Sequence, residues 1–103
     1  MAHVIKEKGE LILKLSLRER IFALHSSPRA NASDLVSTTE STNPWSAEVL
    51  RGVRSPGTAI PYVVLLGTMR FKEGKDFTAI YKRKPVMIYE FSGGEFQRWI
   101  VSQ

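Results

Sequence analysis

Apolar and polar side chains alternate along residues 10–17. Leucine recurs at every second position from Leu11 to Leu17, and Glu10, Lys14 and Ser16 are on the other face. Because successive side chains of a strand point to opposite faces, this period of two places the leucines on one face. The segment is therefore predicted to be a half-buried β-strand.

A helix start follows this strand. Ser16 and Glu19 match a capping box, in which each side chain accepts a hydrogen bond from the other residue's backbone N–H. The sequence predicts a short helix that runs through Leu24 and has ended by Pro28. One face of this helix carries Leu17, Ile21 and Leu24. We expect that face to pack against the sheet.

The middle of the chain has weaker patterns. Residues 33–42 are rich in Thr but poor in large apolar side chains, which is typical of an edge strand. Asn43 and Pro44 suit the start of a second short helix that ends at Gly52. Residues 52–61 contain two glycines and two prolines and are predicted to be a loop.

Four further strands are predicted from Tyr62 onward, at residues 62–69, 76–83, 85–91 and 96–102. Turn signals separate them at residues 72–75, at Lys84-Pro85 and at Gly93-Gly94, a pair typical of a tight hairpin turn. An antiparallel meander is expected. The fold class predicted for residues 1–103 is one mainly β domain, a small antiparallel barrel or sandwich of about seven strands with one or two short helices.

The residue types argue against catalysis. The chain has no cysteine, which removes disulfides, thiolate metal sites and thiol nucleophiles. His3 and His25 are too far apart in sequence to suggest a metal site, and His25 suits a helix cap at the end of the first helix. The carboxylates occur singly rather than in the pairs that acid–base catalysis uses. We expect no enzymatic activity, no cofactor and no metal.

The sequence shows neither a signal peptide nor a membrane span. Lys6, Glu7 and Lys8 interrupt the region where a signal peptide has an uninterrupted apolar run. The longest apolar stretch, residues 60–66, is far shorter than the roughly 20 residues of a spanning helix. The expected location is the cytoplasm, including the inner face of the membrane.

Positive charge is concentrated in one third of the chain. The net charge is +5 and the pI is about 9.8, and residues 51–84 hold eight Lys or Arg against two Asp or Glu. Such a region attracts nucleic acid, anionic lipid or an acidic protein through the same long-range field. The alternative is that these charges only keep loops and sheet edges solvated.

A longer motif runs through the second half of the sequence. Residues 51–61 read RGVRSPGTAIP, and they are followed by Gly67-Thr68, Arg70, Asp76-Phe77, Pro85 and a closing F-x-R-x-x-V-S at residues 96–102. In this order the residues resemble bacterial pleckstrin-homology-like small proteins, a family largely without assigned activity. The resemblance implies a pleckstrin-homology-like scaffold rather than a role.

Two departures from that family bear on function. Its members continue past the last strand into a helix that plugs the barrel, whereas this sequence stops at Gln103. Either the sequence is truncated before that helix or the helix is missing, and in the second case we expect an open barrel end that a helix of a partner could cover. The lipid-binding signature of eukaryotic pleckstrin-homology domains would fall on Lys6, Lys8 and Lys14, where two glutamates interrupt it. The resemblance does not imply lipid binding at that hairpin.

Two basic segments are candidate sites. Arg51 precedes the predicted loop and Arg54 lies in it, and together with Ser55, Gly57 and Thr58 they suit a phosphate or carboxylate. The alternative is that Arg54 ties the loop to the barrel and the glycines only turn the chain. Residues 82–84, Lys-Arg-Lys, adjoin Tyr81 and Tyr89. This combination suits nucleic acid if the rings are exposed, and a solvated hairpin tip if the rings belong to the core.

These observations lead to one hypothesis and one alternative. The residues predicted to bind an anion or a partner are Arg51, Arg54, Arg70, Lys72, Lys82, Arg83 and Lys84. The hypothesis is a non-catalytic interaction module that binds a protein partner, including a second copy of itself, or an anionic membrane surface. The alternative is nucleic-acid binding through the basic surface between Arg51 and Lys84.

Overall fold

Nine β-strands and one α-helix make up the described part of the chain. The computed structural model describes residues 2–46, 49–50 and 52–103, and for residues 53–56 it describes the backbone alone. The strands are β1 (His3–Glu7), β2 (Glu10–Lys14), β3 (Arg29–Asn31), β4 (Leu35–Ser41), β5 (Val53–Ile60), β6 (Val64–Phe71), β7 (Gly74–Tyr81), β8 (Val86–Phe91) and β9 (Arg98–Ser102). The helix α1 (Leu17–Ala23) lies between β2 and β3, and a 3-10 turn (Ala32–Asp34) precedes β4.

The strands form two sheets. The smaller has the order β1-β2-β3 and is antiparallel, and the larger has the order β4-β8-β9-β7-β6-β5. Every neighbouring pair of the larger sheet is antiparallel except β7 with β9. Its edge strands β4 and β5 do not pair with each other, so the described strands do not close into a barrel. The predicted mainly β class is confirmed, with nine strands instead of about seven.

The larger sheet buries side chains on both faces. On one face Phe77 and Trp99 pack with Leu13 of the three-stranded sheet. On the other face Ile80 and Ile100 pack in a separate cluster that the segment containing Val49 covers. Alternate residues of β7 and β9 serve the two clusters because side chains alternate across a strand. The two strands are therefore the centre of the fold.

Several predicted elements are confirmed. The strand predicted at residues 10–17 is β2, but it ends at Lys14 and contains Leu11 and Leu13 alone of the four leucines, because Leu17 begins α1. Ile12 is buried as well, so β2 is not half-buried as predicted. The edge strand predicted at residues 33–42 is β4 at the border of the larger sheet. The capping box is present: the Ser16 side chain accepts from the N–H of Glu19 at 3.2 Å, and the N–H of Ser16 donates to Glu19 Oε1 at 2.9 Å. The hairpin predicted around residues 72–75 joins β6 to β7.

The predicted loop at residues 52–61 is wrong, because residues 53–60 form β5. Gly57 lies opposite Gly67 of β6, and a Cβ atom on Gly57 would lie 2.3 Å from the backbone oxygen of Leu66. The glycine thus permits a close approach of two strands and does not mark a turn. The register also shifts between Arg54 and Gly57, so a bulge accommodates the proline within this edge strand.

The predicted antiparallel meander is also wrong. β9 lies between β7 and β8 and runs parallel to β7, so consecutive strands β7 and β8 are not neighbours. Gly93 and Gly94 lie in the loop 92–97 between β8 and β9 and do not form a two-residue turn. Phe96 in this loop is buried against Phe77. Burial of that ring anchors a connection that is longer than the glycine pair suggested.

The face of α1 predicted to pack on the sheet instead points to solvent. Leu17, Ile21 and Leu24 are 66, 59 and 66% exposed, and the buried residues of the helix are Glu19 and Ala23. The helix is oriented by hydrogen bonds to Glu19 rather than by its larger apolar side chains. The second predicted helix falls in part on residues 47 and 48, which lie outside the described residues.

Candidate functional site

The predicted basic residues lie in separate places. Lys82, Arg83 and Lys84 are exposed in the connection between β7 and β8. Arg70 is exposed on β6, and Lys72 lies in the turn between β6 and β7. Arg51 and the side chain of Arg54 lie outside the described part of the structure. Their predicted role in binding an anion stays a prediction.

The described basic residues form two groups at opposite ends of one hairpin. Arg70 is paired with Lys75 near the start of β7, whereas residues 82–84 follow its last residue, Tyr81. Eight residues of strand separate the ends by roughly 23 Å, at about 3.3 Å per step. The structure therefore unites Lys82, Arg83 and Lys84 but does not bring Arg70 and Lys72 to them.

An exposed apolar turn lies directly beside residues 82–84. The N–H of Val63 donates to the oxygen of Ile60 at 2.9 Å, which closes a tight turn between β5 and β6. The N–H of Lys82 donates to the oxygen of Val63 at 2.8 Å. Ile60, Tyr62 and Val63 are each at least half exposed. We define residues 60–63 and 82–84 together as the tip surface.

The turn holds Tyr62 in an unfavourable backbone conformation. Pro61 occupies the second position of the turn, and Tyr62 in the third has φ 64°. Proline followed by a positive φ is the pattern of a type II turn, which usually has glycine at the third position. Lys82 also has positive φ, at 55°. Both segments of the tip surface therefore carry a side chain where glycine would cost less.

Aromatic rings brace the tip surface. The Arg83 guanidinium carbon lies 4.5 Å from the centre of the Tyr62 ring, and the Trp45 and Tyr62 ring centres are 5.6 Å apart. Trp45 Nε1 donates to the oxygen of Lys82 at 2.7 Å. A cleft of about 320 Å³ lies among these residues and Asn43. The rings fix the position of the cationic segment relative to the apolar turn.

The tyrosines that the sequence placed beside the basic triplet do not offer free rings. Tyr81 is half-buried and its hydroxyl donates to Glu19 Oε2. Tyr89 is half-buried and its ring contacts Trp99, and burial raises the pKa of Tyr89. The exposed aromatic residue at this end is Tyr62, for which the sequence pattern predicts only the start of a strand. Tyr62 and Arg83 are far apart in sequence, so no local sequence pattern indicates their contact.

A buried carboxylate lies beneath α1. Glu19 is 3% exposed, and its oxygens accept from the backbone N–H groups of Ser16 and Ala2, each at 2.9 Å, and from the hydroxyl of Tyr81. Burial raises the pKa of Glu19, but the hydrogen bonds from Ser16 and Tyr81 outweigh it and hold the pKa below its usual value. Burial and Glu19 together raise the pKa of Tyr81. The carboxylate is therefore ionised at neutral pH.

An apolar groove of about 310 Å³ opens between α1 and the larger sheet. Phe22 of α1, Ile60 of β5 and Val64 of β6 line it, with Arg18 also in its wall. The hydroxyl of Thr58, another lining residue, donates to the backbone oxygen of Phe22 at 2.7 Å and ties β5 to the helix. The groove adjoins the tip surface through Ile60.

Searches of the described residues for metal-ligand clusters and for membrane-spanning helices find neither. No cluster of three or more metal-ligating side chains occurs among them. His25 Nε2 lies 3.3 Å from Glu95 Oε2, and its ring contacts Phe77 and Phe96. None of the described helices is long and apolar enough to traverse a bilayer.

Comparison of the chain with protein-family models, with curated proteins and with solved structures finds no match in any of the three. The class that the fold and the surface define is thus a small mainly β domain with one end that is both cationic and apolar.

Proposed function

We propose that this protein is a non-catalytic interaction module that binds an anionic membrane surface through its tip surface. The observation that carries the proposal is the direct contact between the exposed apolar turn 60–63 and the cationic residues 82–84, through the hydrogen bond from Lys82 to Val63. Apolar and aromatic side chains enter the headgroup region of a bilayer, and neighbouring Lys and Arg attract anionic lipids. Both requirements are met at one end of the protein.

The expected attachment is reversible. Each Lys or Arg near an anionic membrane contributes about 1 kcal/mol, so residues 82–84 contribute about 3 kcal/mol together. Ile60, Tyr62 and Val63 add the transfer of side chains that are already half exposed to water. Because the electrostatic part is screened within about 8 Å at physiological ionic strength, binding should weaken as salt is raised.

The exposed side of α1 enlarges the apolar surface next to the tip. Phe22 lines the same groove as Ile60, and Ile21 and Leu24 continue along the outer side of the helix. Arg18 and Arg20 are exposed on the same helix. Apolar side chains flanked by arginine suit the boundary between headgroups and acyl chains.

Co-sedimentation with vesicles tests the proposal. The wild-type protein should pellet with vesicles that contain phosphatidylserine, remain in solution with pure phosphatidylcholine, and be released as salt rises. Lys82→Gln/Arg83→Gln should weaken binding roughly thirtyfold, because two cations of about 1 kcal/mol each are lost. The matched control is Arg70→Gln/Lys72→Gln, which changes the net charge equally at the other end of the hairpin.

The paired variants separate a site from a general charge effect. If both double variants lose the same affinity, the tip surface is not the membrane site. If Ile60→Ser/Val63→Ser binds as tightly as the wild type, the apolar turn does not enter the bilayer. Both outcomes contradict the proposal, provided that each variant keeps the circular dichroism spectrum of the wild type.

Nucleic acid and protein partners are the competing outcomes. Arg70 and Lys72 lie at the far end of β7 from residues 82–84, and the Tyr81 and Tyr89 rings are half-buried, so nucleic-acid binding has less support. Steep, salt-dependent retention of an oligonucleotide without vesicle binding would favour it. A stable dimer in light scattering that ignores both ligands would favour self-association.

We also propose that the two sheets form a sandwich, with the three-stranded sheet over one face of the larger one. Support comes from the shared cluster of Leu13, Phe77 and Trp99. The pleckstrin-homology-like assignment stays a prediction, and it rests on the order of the sequence motif alone. An experimental structure that places β1 or β3 in register with β4 or β5 would replace the sandwich with a closed barrel.

A further inference from the structure

The groove between α1 and the larger sheet exposes mostly apolar surface. Phe22, Ile60 and Val64 present apolar side chains to it. Its volume of about 310 Å³ is at the small end of the range of about 300–1,000 Å³ for small-molecule sites. A narrow apolar groove of this size suits a single hydrocarbon chain.

Apart from Arg18, the polar side chains described in the wall are already engaged within the protein. Thr58 donates to the oxygen of Phe22, and the hydroxyl of Tyr81 donates to Glu19. An extended peptide placed here would leave its own backbone N–H and C=O groups without partners, which is costly in an apolar site. An alkyl chain has no such groups, so the lining favours it over an extended segment of protein.

Among the described residues that line the groove, Arg18 alone carries a positive charge. Its side chain is exposed, and among the described residues no hydrogen bond or ion pair involves it. Glu19, which also lines the groove, is ionised and buried beneath the helix. An anionic head would be repelled from Glu19 and attracted to Arg18, which fixes the orientation of an amphiphile.

We propose that this groove binds the hydrocarbon chain of a single-chain anionic amphiphile, with the anionic head at Arg18. The ligand class includes long-chain carboxylates and monoalkyl phosphates, which share a chain and one small anionic head. The inference goes beyond the proposed function and does not depend on it, because a dissolved amphiphile needs no membrane. The shared residue Ile60 gives a chain a short path between the tip surface and the groove.

Calorimetric titration with decanoate, decyl phosphate and decyltrimethylammonium tests the head and the chain separately, all below their micelle concentrations. The two anions should bind and the cation should not. Across the series from hexanoate to dodecanoate, affinity should rise by at most about fourfold per added methylene and level off when the groove is full. Equal binding of the cationic amphiphile, or absence of binding by decanoate, would overturn the proposal.

A pair of variants on one helix locates the head. Arg18→Gln should weaken decanoate binding by about fivefold, the factor that an exposed charge pair supplies. Arg20→Gln is the matched control, because Arg20 lies on the same helix but does not line the groove. Equal losses in the two variants would contradict the assignment of the head to Arg18.

A third variant locates the chain. Val64→Phe places a larger side chain in the groove and should abolish decanoate binding, and amide chemical-shift changes on titrating the wild type should centre on Phe22, Ile60 and Val64. Shifts centred elsewhere would overturn the site even if Val64→Phe fails to fold. Lys82→Gln/Arg83→Gln should leave decanoate affinity unchanged, so failure of the tip surface and failure of the groove are distinguishable.

Discussion

Four non-glycine residues of the described chain hold positive φ: Lys8, Leu24, Tyr62 and Lys82. For an L-residue this conformation costs roughly 1–2 kcal/mol, so each position is a small store of strain. Lys8 and Leu24 have local explanations, a hairpin turn and a helix end. Tyr62 and Lys82 lie together in the tip surface. Strain of this kind tends to accumulate where a surface has a role, which supports the site assigned above.

Leu24→Gly should stabilise the protein. Leu24 is the C-cap of α1 with φ 55° and is 66% exposed, so glycine relieves strain and loses little packing. We expect a gain of about 1 kcal/mol in the free energy of unfolding, measured by urea denaturation. Leu24→Ala keeps the Cβ atom and should show no gain. A destabilised Leu24→Gly protein would indicate that the exposed side chain makes a contact worth more than the strain.

Tyr62→Gly should separate stability from binding. Relief of strain offsets the lost contacts with Arg83 and Trp45, each worth about 1 kcal/mol, so the free energy of unfolding should change little. Affinity for phosphatidylserine vesicles should fall about fivefold, because a half-exposed aromatic side chain no longer enters the interface. Unchanged vesicle affinity in this variant would remove Tyr62 from the membrane site.

At the scale of elements, α1 shows what local sequence can and cannot predict. Its start was predicted correctly because the two capping hydrogen bonds link residues only three apart. Its buried face was predicted wrongly because Glu19 bonds to Tyr81, 62 residues away. Apolar periodicity favoured Leu17, Ile21 and Leu24 as the inner face. A partner distant in sequence instead directs a carboxylate inward.

Glu19→Gln should change the pH dependence of stability. The pKa of Glu19 is lowered in the folded state, so the unfolded state binds more protons in acid and the stabilisation is present above the unfolded pKa of about 4.3. It is lost as pH falls through the lower, folded-state pKa. At neutral pH the variant should lose about 1–3 kcal/mol of unfolding free energy.

Comparing the pH dependence of stability in the wild type and in Glu19→Gln separates the contribution of Glu19 from that of other carboxylates. Burial raises the pKa of Glu95, but hydrogen bonds from His25 and Lys75 outweigh burial and lower it. Glu95 therefore also makes stability depend on pH in the acid range. The wild type should therefore lose more stability than Glu19→Gln between pH 6 and pH 3, measured by urea denaturation at each pH. Parallel profiles would show that Glu19 does not titrate differently in the folded state.

At the scale of the whole molecule, the sequence predicted most strands of the larger sheet but not their arrangement. Residues 62–91 carry strong strand patterns, which depend on neighbours two positions apart. The insertion of β9 between β7 and β8 depends on pairing across the fold, which no local pattern encodes. The tip surface was likewise only partly predictable from the sequence. Residues 82–84 were found as a charge cluster, whereas their contact with the turn 60–63 follows only from the folded hairpin.

Because β9 is inserted between β8 and β7, the parallel pair of β7 and β9 connects the two halves of the larger sheet, and we call this pair the joint. β7 with β9 connects the half formed by β4, β8 and β9 to the half formed by β5, β6 and β7. Asp76 of β7 lies opposite Arg98 of β9, and Asp76 is 0% exposed. Arg98 donates to Asp76 Oδ2 from Nε at 3.0 Å and from Nη2 at 2.7 Å, and Nη2 also donates to the oxygen of Val49 at 2.7 Å. The arginine thus binds both halves and the covering segment.

Arg98→Met should consequently weaken the entire domain rather than one edge of it. Removing one partner of a buried ion pair costs about 3–5 kcal/mol, a large part of the roughly 5–15 kcal/mol that stabilises a typical domain. The urea midpoint should fall steeply while the denaturant slope stays constant, because a joint between two halves fails cooperatively. Asp76→Leu/Arg98→Met should recover much of the loss, since no buried charge is left.

Arg29→Met, at the exposed pair with Glu10, is the control and should cost at most about 1 kcal/mol. A biphasic transition in Arg98→Met would instead mean that the two halves fold independently and that β7 with β9 is not the joint.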